Sequence, residues 1–269
     1  MTTPIALSIA GSDSSGGAGI QADLKTFSAL GVYGATAIAA LTAQNTQGVQ
    51  AVLAIEPGFV RRQMDSVFAD LRVDAVKIGM LGTRQVIEAV AAGLDAWKPR
   101  FVVLDPVMVA KGGARLLDEA AIGAMRELLL PRATLLTPNL PEAAVLAGLA
   151  PPGDRDGMAV LGRRLQEAGA ANVLVKGGHL DAPDAPDLLL ADGSRYWLEG
   201  RRLDTPHTHG TGCSYAAAIA AFLARGRALR AAVTEAKAWL QAAIEAGIDL
   251  GIGQGRGPVH HFHAWWPRA

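Results

Sequence analysis

The chain has 269 residues, half of them hydrophobic and 19% charged, which is enough to bury a sizeable core. Lysine plus arginine equals aspartate plus glutamate at 25 each, so charge gives no argument for nucleic acid or an anionic membrane surface. One cysteine excludes an internal disulfide, and with no basic leader and no apolar run of roughly 18–20 residues, a cytoplasmic protein off the membrane is expected.

Short apolar runs alternate with longer amphipathic or alanine-rich stretches. Residues 5–10 read as a strand and 16–30 as a glycine-opened helix. Strands are predicted at 36–41 and 49–55, then a helix over 57–71 with Pro57 near its first turn. A strand over 75–78 precedes a helix over 83–97 capped by Thr83. Residues 101–104 form a continuous apolar strand ending in Asp105. A helix over 118–130, a short strand over 134–136 and a helix over 141–147 follow. Next come a helix over 156–168 and a strand over 173–175 that ends in Lys176. Residues 188–191 and 196–198 flank Asp192-Gly193, a favoured hairpin pair. Residues 211–225 and 229–246 are the last two helices. The alternation indicates an α/β fold, a mainly parallel sheet with helices on both faces, in one domain spanning residues 1–269.

In open α/β sheets, ligands sit beyond the carboxyl ends of the strands. Polar residues gather there in this chain: Gly11-Ser-Asp13 with Gly16, Gly17 and Gly19; Gln44-Asn-Thr; Gly79-Met80; Asp105-Pro-Val107; Asn139 with Glu142; and Lys176-Gly-Gly-His179. The richest stretch is His207-Thr-His209-Gly210-Thr211-Gly212-Cys213-Ser214, leading into a small-residue helix. Two glycines and a helix start place free backbone N–H groups and a positive dipole end beside the only cysteine, an arrangement suited to an anionic group. The standard nucleotide signatures are absent. No Gly-Lys pair occurs, and Gly251-Ile-Gly-Gln-Gly255 misses the dinucleotide spacing.

The segments Gly11 to Lys25, Leu41 to Gln47, Val76-Lys-Ile-Gly-Met80, Leu104-Asp-Pro-Val-Met, Pro138-Asn-Leu-Pro-Glu142, Val175-Lys-Gly-Gly-His and His209-Gly-Thr-Gly-Cys213 occur in order along the chain. Together they resemble the hydroxymethylpyrimidine/phosphomethylpyrimidine kinases of thiamine biosynthesis, in the ribokinase-like superfamily. Gly257-Pro-Val-His-His-Phe-His263 is a further family-like tail.

The resemblance implies ATP-dependent phosphorylation of 4-amino-5-hydroxymethyl-2-methylpyrimidine and then of its monophosphate. It makes Gly210, Thr211, Gly212 and Cys213 the anion hole, with Cys213 as the base, its thiol lowered by the helix N-terminus. Asp23 and Gln44 would hold the aminopyrimidine ring, with Gly11, Met80 and Val107 completing its pocket. Asn139, Glu142, Asp105, Lys176 and Lys237 would serve ATP, and Asp105 and Glu142, partly through water, magnesium. A homodimer is implied as well. A pyridoxal or pyridoxine kinase on the same fold is the nearest alternative. A cysteine hydrolase using Cys213 with His207 or His209 is another, but it leaves Asn139, Glu142 and Lys176 without work. A non-catalytic pyrimidine-binding regulator is a third. His260, His261 and His263 read as an ordered tail packing on the body rather than as metal ligands.

Overall fold

The apolar runs assemble into one nine-stranded sheet in the computed structural model, which describes residues 2–108 and 117–266. The strands are β1 (Ile5–Gly11), β2 (Tyr33–Asn45), β3 (Gly48–Ala54), β4 (Ala75–Ile78), β5 (Val102–Leu104), β6 (Leu135–Leu136), β7 (Val173–Lys176), β8 (Asp187–Ala191) and β9 (Ser194–Leu198). Their order is β3-β2-β1-β4-β5-β6-β7-β8-β9. Strands β2, β1, β4, β5, β6 and β7 pair in parallel, while β3, β8 and β9 attach antiparallel at the two edges. Asp192 and Gly193 both adopt positive φ, 51° and 71°, which closes the expected tight hairpin between β8 and β9.

Because side chains alternate along a strand, the buried strands feed two apolar layers. Leu7, Ile9, Val76, Ile78, Val102 and Leu104 face α2 (Pro57–Asp70), α3 (Arg84–Trp97), α4 (Glu119–Ala124), α5 (Leu140–Ala147) and α6 (Arg155–Glu167). Ala6, Ala75, Val103, Leu135 and Leu174 face α1 (Gly19–Ala29), α7 (Thr211–Ala224) and α8 (Leu229–Gly247). Residues 215–223 of α7 are all buried, so this helix is apolar on every side. Among the described residues, no helix is long and apolar enough to cross a membrane.

The chain departs from the sequence expectations at three places. α1 starts at Gly19 rather than Gly16, because Asp13 Oδ2 accepts from the N–H groups of Gly17 and Ala18, at 3.1 and 2.8 Å, and holds that stretch as a loop. β2 runs far beyond 36–41, since it has partners on both sides. The helix expected over 118–130 keeps α geometry only to Ala124, then widens into a π turn over Met125–Leu129 and tightens into a 3₁₀ turn at Leu130–Arg132. Pro131, which cannot donate a helical hydrogen bond, lies in that last turn.

One polar group lies inside the second layer. Ser8 and Lys77 are partners across β1 and β4, on the face turned to α1. Asp23 of α1 meets both: Ser8 Oγ donates to its Oδ2 at 2.5 Å, and Lys77 Nζ at 2.9 Å. All three residues are fully buried. Removing one partner of a buried ion pair leaves the other charge uncompensated. Lys77→Met is therefore expected to cost about 3–5 kcal/mol of stability by urea unfolding, and the added change Asp23→Asn to recover part of it. A loss below about 1 kcal/mol for the single variant would show that the pair is not ionised in the fold.

Candidate active site

After β1 the chain turns outward to β2, then crosses back so that β4 lies on the other side of β1. That reversal of strand order opens a crevice at the carboxyl ends, the usual ligand position in such sheets. A cavity of about 850 Å³ occupies it, within the range of small-molecule sites. Gly11, Gln44, Met80, Val107, Asp105, Asn139, Glu142, Lys176, Gly210, Thr211, Gly212, Cys213 and Lys237 line it, every expected site residue except Asp23.

The anion-binding turn is built by close approach. Gly210 precedes α7 with φ 74°, and a side chain there would run into the Gly17 carbonyl, so backbone conformation and space both require glycine. The Thr211 N–H donates to the Thr208 carbonyl at 3.4 Å, whereas the first-turn N–H groups of Gly212 and Cys213 have no carbonyl one turn earlier within the helix, and both residues line the cavity. Gly212 keeps space for charge: a β-carbon there would lie 3.4 Å from Lys176 Nζ and 3.6 Å from Asp105 Oδ2.

Lys176 ends β7, and its ammonium donates to Asp105 Oδ1 at 2.9 Å. Burial works against that charge, but Asp105 and Glu142 outweigh it and hold Lys176 above its ordinary range. Asn139 and Glu142 have a local task that the sequence pattern also explains. The Glu142 N–H donates to Asn139 Oδ1, and the Asn139 N–H to Glu142 Oε2, both at 2.9 Å, forming the capping box that starts α5. Burial, with Asp105 adding to it against the pull of Lys176, pushes the Glu142 carboxyl up to about 7. Lys237 of α8 is anchored to Asp187 Oδ2 at 2.6 Å and to the Ala185 carbonyl at 2.9 Å.

Toward the first loop, Gly11 lets Met80 lie against the backbone, since a side chain would strike its methyl group. The Gln44 amide sits 3.4 Å from His209 Nε2, and its Oε1 accepts from Thr42 Oγ1 at 3.2 Å. His209 Nε2 is also 2.7 Å from Asp13 Oδ2. Burial would raise Asp13, but hydrogen bonds from His209 and Ser15 prevail and hold it at about 2. His207 Nδ1 accepts from the Gly257 N–H at 3.1 Å. Both histidines are thus engaged away from Cys213, which removes the support for a cysteine hydrolase.

Two groups lie otherwise than the sequence suggests. Asp23 does not touch the cavity; it points from the buried face of α1 into the sheet and pairs with Lys77. The cavity is reached instead by Lys77, which the sequence reading did not single out. Burial disfavours the Lys77 charge, yet Asp23, Cys213 and Asp105 together keep it above the ordinary lysine range. The Cys213 thiol is not lowered. Burial pushes it up to about 11, with Asp105 and Asp23 adding to the effect, against Lys77 and the Gly19 N–H.

The phosphomethylpyrimidine kinase family model matches residues 13–260. A hydroxymethylpyrimidine/phosphomethylpyrimidine kinase of Rhizobium meliloti is 57% identical over 264 residues, covering 98% of this chain and 99% of that protein. A thiamine biosynthesis bifunctional protein, ThiED, of Geobacter sulfurreducens is 50% identical over 255 residues, 95% of this chain and 51% of that one. Among solved structures, an ADP complex of Bacillus subtilis pyridoxal kinase superposes with a TM-score of 0.90 at 40% identity, covering 98% of this chain and 99% of that one. The matched residues 13–260 include the glycine turn and the charged cluster, and this chain belongs to the phosphomethylpyrimidine kinase family.

Proposed function

We propose that the protein transfers the γ-phosphoryl group of ATP to 4-amino-5-hydroxymethyl-2-methylpyrimidine, then to the resulting monophosphate, as a step of thiamine biosynthesis, with residues 1–269 acting as one domain. The observation that carries this reading is the meeting of the Gly210–Cys213 turn, Lys176 and Asp105 in a cavity also lined by Gln44, Met80 and Val107. The Gln44 amide suits the exocyclic amine and ring nitrogen of the pyrimidine. Met80 and Val107 offer apolar contact to its faces, with Gly11 letting Met80 close in. The N–H groups of Gly212 and Cys213 receive the phosphoryl oxygens in the turn that Gly210 and Thr211 begin, while Lys176, Asn139 and Lys237 serve the nucleotide phosphates.

Asp105 and Glu142 fit magnesium. Two carboxylates, with water and phosphate oxygens completing the shell, match its coordination habit. Among the described residues no cluster of three acidic, histidine or cysteine side chains forms a protein-only cage, which favours an ion shared with ATP. Held there, magnesium would neutralise phosphate charge and the Asp105 charge that adds to burial in keeping Cys213 protonated.

In the first transfer, Cys213 first gives its thiol proton to solvent, and the thiolate then accepts the hydroxymethyl proton while that oxygen bonds to the γ-phosphorus and the bond to the β–γ bridging oxygen breaks, releasing ADP. In the second, the acceptor is a phosphate oxygen that is already ionised and needs no base. Phosphoryl transfer assayed side by side on the pyrimidine alcohol, its monophosphate and pyridoxine tests the assignment. The likeness to a pyridoxal kinase makes pyridoxine the decisive competitor, and faster turnover of it by about tenfold or more would overturn the substrate.

A homodimer is part of the proposal, supported by the family resemblance and by Leu41, Val52 and Leu53 standing 41%, 51% and 63% exposed on β2 and the edge strand β3. Light scattering giving the mass of a single chain would refute it.

Cys213→Ala is expected to lower kcat for the alcohol by roughly 10²–10⁴, and by at least about tenfold less for the monophosphate. Equal losses on the two acceptors would show that the thiol is not a base. In the unliganded protein, alkylation of Cys213 followed by mass spectrometry should be slow at pH 7 and rise about tenfold per pH unit toward pH 9, since only the thiolate reacts and its proton leaves near 11. Magnesium should bind more tightly as the pH rises through about 7, where Glu142 loses its proton. Calorimetry at pH 6 and 8 would check this, and Glu142→Gln should abolish the dependence.

A further inference from the structure

The segment after α8 has no part in the reading above, yet it is tied to the site at three places. At its start, the Gly255 N–H donates to Thr46 Oγ1 at 3.1 Å and the Arg256 N–H to the Thr46 carbonyl at 2.9 Å, seating the segment on the turn between β2 and β3. Next, the His209 N–H donates to the Gly257 carbonyl at 3.0 Å, and the Gly257 N–H to His207 Nδ1 at 3.1 Å, with His209 and Pro258 bridged in parallel. Last, His261 Nε2 lies 3.0 Å from Ser214 Oγ; Ser214 is fully buried and His261 is 5% exposed.

These contacts bracket the anion-binding turn. His209 is the residue before Gly210, and Ser214 is the residue after Cys213. One short run, Gly257 to His261, therefore grips the turn where it begins and where it becomes helix. Such a grip answers a physical need. The turn carries two glycines, whose backbone freedom is greater than that of any other residue. Its N–H groups must nevertheless hold a transferring group in line, where a displacement of about 1 Å can cost 10²-fold in rate. Burial pushes His261 down to about 3, so the contact with Ser214 is a neutral hydrogen bond across the working pH range.

We infer that Gly257–His261 is a positioning element for phosphoryl transfer, acting through His209 and Ser214 on the Gly210–Cys213 turn. The inference rests on that turn receiving the transferred group.

The test uses the full chain with Ser214→Ala, His261→Ala, His261→Gln and the double alanine variant. Steady-state kinetics with ATP and the pyrimidine alcohol would be run well below each variant's melting midpoint, at pH 6.5 and 8. Both alanine variants should lose about tenfold in kcat at both pH values, with KM for either substrate within about twofold of wild type. The double variant should fall no further than the worse single, because one contact is removed twice. His261→Gln should restore part of the rate. Hydrogen exchange over residues 208–214 supplies a readout independent of turnover: it should quicken in both alanine variants while the interior of α7 stays protected.

The inference is overturned if kcat stays within about twofold of wild type in Ser214→Ala, or if exchange over 208–214 is unchanged. It is equally overturned if the kinetic losses follow only the drop in melting midpoint. Should His261→Ala fail to fold, Ser214→Ala, which removes a single oxygen, decides. A wild-type protein without phosphoryl transfer would refute the proposed function, and the exchange experiment would still report on the clamp.

Discussion

Two lysines pinned by aspartates beneath the cavity set the electrostatics of everything above them. Lys77 is held by Asp23 and Lys176 by Asp105, each at 2.9 Å, and all four are buried or nearly so. In a low-dielectric interior each charge is tolerable only because its partner is fixed beside it. The pairs also dictate which neighbouring groups ionise. Glu142 and Cys213 face carboxylates as well as lysines, and burial pushes both toward their protonated forms. The buried pairs therefore keep protons on the two groups that must lose them during the proposed reaction. A cationic donor complex arriving at Asp105 would tilt the same balance the other way.

Sheet and site differ in how far they could be read from sequence. Continuous apolar runs such as Phe101 to Leu104 and Val173 to Val175 announce strands buried on both faces, and a polar residue ending such a run lies at the carboxyl edge by necessity. Asp105 and Lys176 were legible for that reason. Lys77 was not singled out, although its signal was present. A charge within the four buried residues of β4 can survive only with a partner or a ligand, and a glycine two residues on leaves room for its ammonium.

Asp23 is a different case: the resemblance sets it against the pyrimidine ring, whereas the local pattern turns it to the interior. Ile20, Asp23 and Phe27 recur at helical spacing on the buried side of α1, so the carboxylate had to face the core. Cys213 was misread because the helix start favours a thiolate while burial opposes it, and only the fold shows which effect is larger. The clamp at the carboxyl-terminal end depends on tertiary contacts separated by some fifty residues or more, such as Ser214 with His261, and no local pattern encodes them.

The placement of α7 bears on how the chain is made. This helix packs on β1, β4 and β5 and against α1, in the middle of the sheet, yet it lies at residues 211–224 of the chain. During synthesis, which proceeds from the amino terminus, the part of this face that α1 does not cover must wait for a segment encoded after all nine strands. Ala6, Ala75, Val103 and Leu135 lack the α7 part of their covering layer until it emerges. A ribosome-bound chain stalled short of that point would present an apolar surface flanked by unpaired strand edges, the condition under which partly folded chains associate.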